Sequence, residues 1–236
     1  MNAKRGFVPE DVRNFSPEAV ETMRTASRHI LYLINEGYDL KSAATFTGNH
    51  FLLSERQRMA IMRSIGKSDR IRERISRKLS LADLSGKEVW IDGFNTIITL
   101  EVMLCDSVLL ECMDTSVRDL AALRGTYRLI PETDRAAEIM LSLLKEAGVS
   151  RANILLDAPV SNSGRLKARI AELGEGFPAD LNIEVIRDVD RTLYDKDLVI
   201  TSDAIILDHC GSWAGLTGEW LERLGRKGLR VWDSVF

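Results

Sequence analysis

The hydrophobic pattern of residues 1–65 predicts a compact helical unit. Ser16 and Pro17 are typical of a helix start, and apolar residues then recur at helical spacing as far as Gly37. A second helix is expected to begin at Asp39, and a third, with one basic and one apolar face, at Ser54. The segment 66–80 carries six basic side chains and is predicted to form a charged helix or a linker.

The pattern changes near residue 86, where short apolar runs begin to alternate with amphipathic segments. Strands are predicted at 88–91, 108–112, 153–156, 182–187, 197–201 and 229–232, and helices at 132–147, 165–173 and 216–224. The segment 96–104 fits either a helix or a strand, and 118–127 fits a loop or a short helix.

Alternation of this kind is typical of an α/β domain with a central, mainly parallel sheet. We therefore expect two domains, a basic all-α domain at 1–80 and an α/β domain with an acidic cluster at 86–236.

Several of the predicted strands end in an aspartate. These residues are Asp92, Asp157, Asp188 or Asp190, and Asp203. The carboxyl ends of parallel strands lie along one edge of a sheet, so we expect these carboxylates to lie close together. Like charges so placed repel unless a cation neutralises them or a proton is shared. The sequence therefore predicts a site for Mg²⁺ or Mn²⁺, although each aspartate taken singly is also an ordinary helix cap.

Charge is unevenly divided between the two parts. Residues 1–80 carry a net charge of +6, and the rest of the chain carries −9. A basic helical part suits a polyanion such as nucleic acid, and clustered carboxylates suit a divalent cation, although solvated surface charge explains both halves. Short helices with a basic third member also fit a DNA-reading helix-turn-helix, a weaker interpretation because basic amphipathic helices are common.

Cysteine and histidine usage disfavours disulfides and a zinc site. Cys105, Cys112 and Cys210 form no Cys-x-x-Cys pair, and the three histidines are widely spread. No apolar run is long enough to cross a bilayer, and the N-terminus lacks the apolar region of a signal peptide. We expect a cytoplasmic protein in a reducing environment, without a membrane partner.

The motifs resemble two known groups of proteins. Ile-Asp-Gly-Phe-Asn at 91–95, an acid in the next segment, a strand ending at Asp157 and Thr-Ser-Asp at 201–203 resemble the PIN and NYN group of metal-dependent ribonucleases. Asp-Gly-Phe-Asn at 92–95, Leu-Asp-Ala-Pro-Val-Ser-Asn-Ser-Gly at 156–164 and the helical unit with Gln57-Arg58 look more like a prokaryotic, often archaeal, family of unknown function. That family joins a domain of unknown function 434 to a PIN-like domain. The second resemblance covers nearly the whole chain.

The resemblance implies a three-layer PIN-like domain and assigns roles to individual residues. It implies that Asp92, Asp157 and Asp203 are catalytic and bind the metal, and that Asn95 orients the first turn or touches the substrate. The further metal ligands would be Asp190 and an acid from the segment after the first strand. Glu101, Asp114 and Asp119 are three alternatives for that second position. A loop at a predicted helix start, with Ser161, Asn162, Ser163 and Arg165, is a candidate phosphate site or an ordinary capped helix start.

These observations favour a Mg²⁺- or Mn²⁺-dependent nuclease that cleaves RNA in preference to DNA, with the helical domain helping to hold the substrate. One alternative is a non-catalytic binding or assembly module of the same fold, in which the acids are structural caps. Another is a phosphatase or nucleotide-handling enzyme, although the chain lacks a P-loop and an Asp-x-Asp motif at 92–94. The oligomeric state is left open, with a homodimer among the alternatives.

Overall fold

The computed structural model describes residues 4–121, 123 and 125–233, so that 122 and 124 of the predicted segment 118–127 lie outside the described residues. The helices are α1 (Asp11–Asn14), α2 (Pro17–Asn35), α3 (Leu40–His50), α4 (Glu55–Ser64), α5 (Ser68–Ser76), α6 (Gly93–Leu104), α7 (Pro131–Ala147), α8 (Ser163–Leu173), α9 (Val189–Leu193), α10 (Ala204–His209) and α11 (Leu216–Arg223). The strands are β1 (Glu88–Asp92), β2 (Leu109–Glu111), β3 (Val117–Asp119), β4 (Arg151–Asp157), β5 (Asp180–Ile186), β6 (Val199–Ile200) and β7 (Trp213–Ala214). The expected α/β architecture, with a helical region ahead of a central parallel sheet, is confirmed.

The N-terminal helices begin where the sequence predicts them. The hydroxyl of Ser16 accepts a hydrogen bond from the backbone N–H of Ala19, and Asp39 caps α3 in the same way through Ser42. At the start of α4, Ser54 and Gln57 form a reciprocal capping box. The charged segment that follows is a helix, α5, rather than a linker.

Five strands form one sheet in the order β5-β4-β1-β6-β7, and each neighbouring pair is parallel. In the middle strand, Ile91 lies opposite Ile154 of β4 on one side and Ile200 of β6 on the other. The chain adds β4 and β5 on one side of β1 and then crosses to add β6 and β7 on the other. A crevice is expected beyond the carboxyl ends of the strands at such a switch point.

Residues 96–104, which fit either a helix or a strand, belong to helix α6. Gly93, the first residue of α6, packs so closely on β4 that an added Cβ would lie 2.8 Å from the carbonyl oxygen of Leu155. A glycine is therefore required at this position by the approach of the helix to the sheet, in addition to the turn that the sequence pattern indicates.

Several elements differ from the sequence-based expectation. β2 and β3 pair with each other in an antiparallel hairpin outside the main sheet, so part of the predicted loop at 118–127 is a strand. The predicted strand at 229–232 makes only an isolated bridge between Leu229 and Leu110. The sequence missed α9 and β7, which span five and two residues and are too short to show a hydrophobic period.

The helical region packs directly on the α/β part through one apolar core. Met23 and Ile61 of the helices belong to the same buried cluster as Leu110, Leu120 and Val231. A second and larger cluster fills the space between the main sheet, α6 and α7. None of the helices in the described part of the chain is long and apolar enough to cross a membrane.

Candidate functional site

A pocket of about 590 Å³ opens at the carboxyl ends of β4, β1 and β6. Four aspartates from this edge of the sheet line it. Asp92 is the last residue of β1, Asp157 ends β4, Asp190 lies in the first turn of α9, and Asp203 caps α10 just after β6. Residues far apart in the sequence are thus brought into one cavity by the parallel sheet, as expected from the acids at the strand ends.

Asp92 is the most deeply buried of these four acids, with 5% of its surface exposed. Its Oδ1 accepts a hydrogen bond from the backbone N–H of Asn95 (3.2 Å), and its Oδ2 accepts one from the hydroxyl of Thr201 (3.0 Å). Burial, followed by the negative charge of Asp203, raises its pKa from 3.8 to about 8. Asp92 is therefore a helix cap, the ordinary role that an aspartate at this position can have, and also a carboxyl group whose pKa is strongly raised.

The other acids of the pocket are affected by burial and by one another. Burial raises the pKa of Asp190, and the charges of Asp203 and Asp157 raise it further. Burial also raises the pKa of Asp157, against a hydrogen bond from the backbone of Val189. Carboxylates that oppose one another's ionisation in a cavity are typical of a functional site.

Asn95 connects the two sides of the acidic cluster. Its side-chain oxygen accepts hydrogen bonds from the backbone N–H of Ser202 at 2.8 Å and from the Ser202 hydroxyl at 2.9 Å. The first turn of α6 is thereby tied to the segment that leads from β6 to Asp203. Asp203 itself accepts hydrogen bonds through Oδ1 from the backbone N–H groups of Ile205 and Ile206.

The donor chemistry of the pocket fits a hard cation, because it consists of carboxylate oxygens without a cysteine or histidine among the described lining residues. Across the described ranges, no three His, Cys, Asp or Glu side chains are placed to hold one metal ion between them. This arrangement fits a cation that takes one or two carboxylates and completes its shell with water and phosphate, as Mg²⁺ commonly does.

Two of the predicted metal ligands, Glu101 and Asp114, lie outside the lining of this pocket. The fully buried Glu101 is bound by Nε of Arg5 at 2.7 Å and by the Tyr127 hydroxyl at 2.6 Å. Asp114 is held by two guanidinium groups and by Ser116, and these partners lower its pKa despite its burial. Both carboxylates are satisfied by structural partners.

Asp119 lies at the edge of the pocket and already has partners for both oxygens. Its Oδ1 accepts a hydrogen bond from the backbone N–H of Ala121 at 2.7 Å, and its Oδ2 accepts one from the hydroxyl of Thr99 at 3.1 Å. Arg63 also approaches Oδ1, at 3.4 Å. This geometry gives Asp119 a role in positioning the end of β3.

The predicted phosphate loop is occupied by internal contacts. The hydroxyl of Ser161 accepts from the N–H of Tyr127 and donates to its carbonyl oxygen, which also accepts from the Asn162 side chain at 2.6 Å. Asn162 has a φ of 62°, a conformation that asparagine tolerates better than most residues. The loop thus anchors the segment around Tyr127, while Ser163 and Arg165 lie in the first turn of α8.

Basic residues of the pocket wall were not recognised from the sequence. Arg118 lines the pocket, donates to the carbonyl oxygen of Ser202 at 2.6 Å and forms an ion pair with Asp114. Arg74 of α5 binds Asp114 and Asp208, at 2.8 and 2.7 Å. The helical region thereby supplies part of the wall. The six basic residues at 66–80 were the only sign of this contribution in the sequence, and they do not show that Arg74 is the one whose side chain is buried.

Comparison with known proteins places the chain among proteins of unknown function. A model described as "Domain of unknown function (DUF5616)" matches residues 81–219, and one described as "Protein of unknown function (DUF434)" matches residues 22–77. The chain is 35% identical over 209 residues to "Uncharacterized protein MJ0935" of Methanocaldococcus jannaschii, a match covering 87% of this chain and 100% of that relative. No solved structure matches it. The chain therefore belongs to the DUF5616 family and carries a DUF434 region ahead of that domain.

Proposed function

We propose that the α/β part is PIN-like and that the protein is a Mg²⁺- or Mn²⁺-dependent nuclease that hydrolyses phosphodiester bonds of RNA. The observation that carries this proposal is the convergence of four aspartates from the strand ends on one pocket, in which Asp92 has a pKa of about 8. A role as helix caps does not account for carboxylates that repel one another in one cavity. A cation held by one or two of them would relieve that repulsion.

Asp92 and Asp203 are the residues that would hold the cation. The charge of Asp203 raises the pKa of Asp92, and the hydrogen bonds of Asp203 to the start of α10 use only its Oδ1, which leaves Oδ2 for a ligand. A bound Mg²⁺ or Mn²⁺ would polarise a phosphoryl oxygen and lower the pKa of a water molecule. Burial and the charges of Asp203 and Asp157 raise the pKa of Asp190, and this carboxylate would be the base that takes a proton from the attacking water.

Arg118 supplies positive charge on the pocket wall beside these carboxylates. Its guanidinium is fixed by Asp114 and by the carbonyl oxygens of Ser202 and Arg63, and it is influenced by the charge of Asp203. A cation held in this way can bind a phosphate without moving. A phosphodiester fits a pocket that offers both carboxylates for a metal and a fixed guanidinium.

The preference for a polynucleotide rests on the rim of the pocket. Lys67 and Arg70, both exposed, line it from the N-terminal end of α5. They share the pocket lining with the carboxylates and would offer charge to phosphates next to the bond that is cleaved, although Arg70 also pairs with Glu73 at 3.2 Å. The nucleotide-handling alternative rests on the size of the pocket, since about 590 Å³ is also enough for a mononucleotide.

The test is cleavage of a labelled single-stranded RNA by purified protein with Mg²⁺ or Mn²⁺, followed on a denaturing gel. We expect Asp92→Asn and Asp203→Asn to lower the rate by roughly 100-fold or more, a loss typical of removing one preorganised polar group. Asp195→Asn is the matched control, because Asp195 is exposed, lies outside the pocket lining and has a φ of 59° that asparagine accepts.

Three results would contradict the proposal. One is equal cleavage by wild type and Asp92→Asn, and another is the absence of cleavage with either metal. The third is turnover of nucleotides or phosphate monoesters with no action on RNA, which would establish the nucleotide-handling alternative. Absence of cleavage together with no thermal shift on addition of either metal would instead indicate the non-catalytic module, in which the acids are structural caps.

A further inference from the structure

A second cleft, of about 490 Å³, opens beside the acidic pocket and shares Leu123 and Thr126 with its wall. None of the described residues that line this cleft is acidic, and three are basic. Its lining consists of Lys4, Arg5, Gly6, Ala121, Leu123, Thr126, Arg128, Leu129, Ile130 and Pro131. The acidic pocket therefore continues sideways into a basic and apolar groove.

The basic residues of this cleft have different roles. Arg5 is fixed in the wall, since Nε binds Glu101 at 2.7 Å and a terminal nitrogen donates to the carbonyl oxygen of Arg128 at 2.6 Å. Lys4 holds its ammonium 5.9 Å from the ring centre of Phe7. The exposed Arg128 side chain makes no ion pair with any residue the structure describes, so its charge is available to a ligand.

The acidic pocket now has positive charge on two sides. Lys4 and Arg128 lie on the side of the cleft, and Lys67 and Arg70 lie on the side of α5. A phosphodiester chain is repelled by carboxylates alone, so a site that cleaves such a chain needs cations on its approaches. One basic surface adjoins the acidic pocket through the shared residues Leu123 and Thr126, and the other belongs to the lining of the pocket itself.

The apolar walls of the cleft favour a single-stranded nucleic acid over a duplex. Leu129, Ile130 and Pro131 present apolar surface next to the basic side chains. The faces of unpaired bases are apolar and can pack on such surface, whereas a duplex keeps them stacked inside and offers only its backbone.

We propose that this cleft binds the backbone and bases of single-stranded RNA that leads into the acidic pocket. The inference rests on the proposed nuclease function for its choice of RNA. It also extends that function, because it assigns substrate binding to the N-terminal segment and to the loop before α7.

The experiment measures binding of a fluorescein-labelled single-stranded RNA by anisotropy in EDTA, at several salt concentrations. The variant is Lys4→Gln/Arg128→Gln. The control is Lys87→Gln/Lys145→Gln, which removes the same charge from exposed residues outside the linings of both cavities. We expect the cleft variant to bind roughly tenfold more weakly, and the slope of log Kd against log salt to fall by about 1.4, or 0.7 per lost phosphate contact. The control should match wild type, and a duplex of the same length should bind more weakly.

Equal binding by the cleft variant and the control, with melting temperatures like wild type, would overturn the inference, as would equal affinity for the duplex. The cleavage assay with Mg²⁺ or Mn²⁺, run on wild type and on the cleft variant, separates this outcome from failure of the nuclease proposal. If neither protein cleaves RNA but the cleft variant binds it more weakly, the RNA-binding role of the cleft is supported and the nuclease proposal is refuted. If wild type cleaves RNA and the cleft variant cleaves it with an unchanged KM, the nuclease proposal is supported and the RNA-binding role of the cleft is refuted.

Discussion

The side chain of Asn95 accepts two hydrogen bonds from Ser202, one from the backbone N–H at 2.8 Å and one from the hydroxyl at 2.9 Å. These bonds hold the start of α6 against the end of β6 and so fix Asp92 relative to Asp203. In the proposed nuclease, acids that share a metal would need such support, because a displacement of about 1 Å can cost 100-fold in rate.

Asn95→Ala tests this positioning role. We expect RNA cleavage to fall by 10-fold or more, and the free energy of unfolding to fall by about 1–3 kcal/mol because Ser202 loses its acceptor. Asn182→Ala is the matched control, since this variant loses side-chain hydrogen bonds to Asn153 of β4 and Glu184 of β5, and Asn182 lies outside the pocket lining. Similar loss of activity in both variants would show a general effect of stability and contradict a positioning role.

The raised pKa of Asp92 makes stability depend on pH. Since the pKa is about 8 in the folded protein against 3.8 ordinarily, the folded state resists ionisation, and stability is lost as pH rises between these values. Asp92→Asn removes this loss. In EDTA, we expect the unfolding free energy of the variant, relative to wild type, to increase from pH 4 to pH 8 and then to level off. Urea unfolding across this range measures it, and a difference that does not vary with pH would contradict the prediction.

Asp114 should behave in the opposite direction. Ion pairs with Arg74 and Arg118 lower its pKa, so its contribution is present above 3.8 and is lost as pH falls below that value. Asp114→Asn leaves two buried guanidinium groups without their shared carboxylate. We expect a loss of about 3–5 kcal/mol in unfolding free energy at pH 7. The difference in unfolding free energy between wild type and Asp114→Asn, measured by urea unfolding, should persist down to pH 4 and become smaller at lower pH. A loss of less than 1 kcal/mol at pH 7 would contradict a stabilising role for the ion pairs of Asp114.

Gly93→Ala tests the close approach of α6 to the sheet. The new methyl group would lie 2.8 Å from the carbonyl oxygen of Leu155, a backbone atom that cannot move aside easily. We expect destabilisation of about 1–3 kcal/mol from this overpacking. Gly164→Ala in α8 is the control, because a Cβ there meets nothing within 4 Å and should stabilise by about 0.4–1 kcal/mol. The melting temperatures of the two variants measure this difference. Equal melting temperatures would contradict the prediction, because they would show that the structure around Gly93 accommodates the methyl group without loss of stability.

Much of the fold could be predicted because it depends on local patterns. The caps at Ser16, Asp39 and Ser54 and the alternation of strands and helices follow from short stretches of sequence. The antiparallel hairpin of β2 and β3 and the short strand β7 could not be predicted in this way. Strands β3 and β7 span only three and two residues, so neither shows a hydrophobic period of its own.

Some residues of the candidate site could likewise be predicted from the sequence, and others could not. Asp92, Asp157 and Asp203 were recognised because each follows a buried strand, and parallel pairing brings such positions together. The resemblance makes Glu101 one of three candidates for a metal ligand, and its ion pair with Arg5, 96 positions away, leaves no local trace in the sequence. Arg74 and Asp208, 134 positions apart, were missed for the same reason.

The decisive measurement for the proposed metal site is anomalous diffraction from crystals grown with Mn²⁺ and an uncleavable RNA analogue. We expect an anomalous peak in the acidic pocket, bounded by Asp92 and Asp203, with a phosphate of the RNA completing the coordination. The peak should be absent from crystals of Asp92→Asn grown in the same way. A pocket without a peak at saturating Mn²⁺, or a peak that survives in Asp92→Asn, would contradict the assignment of these carboxylates as the metal site.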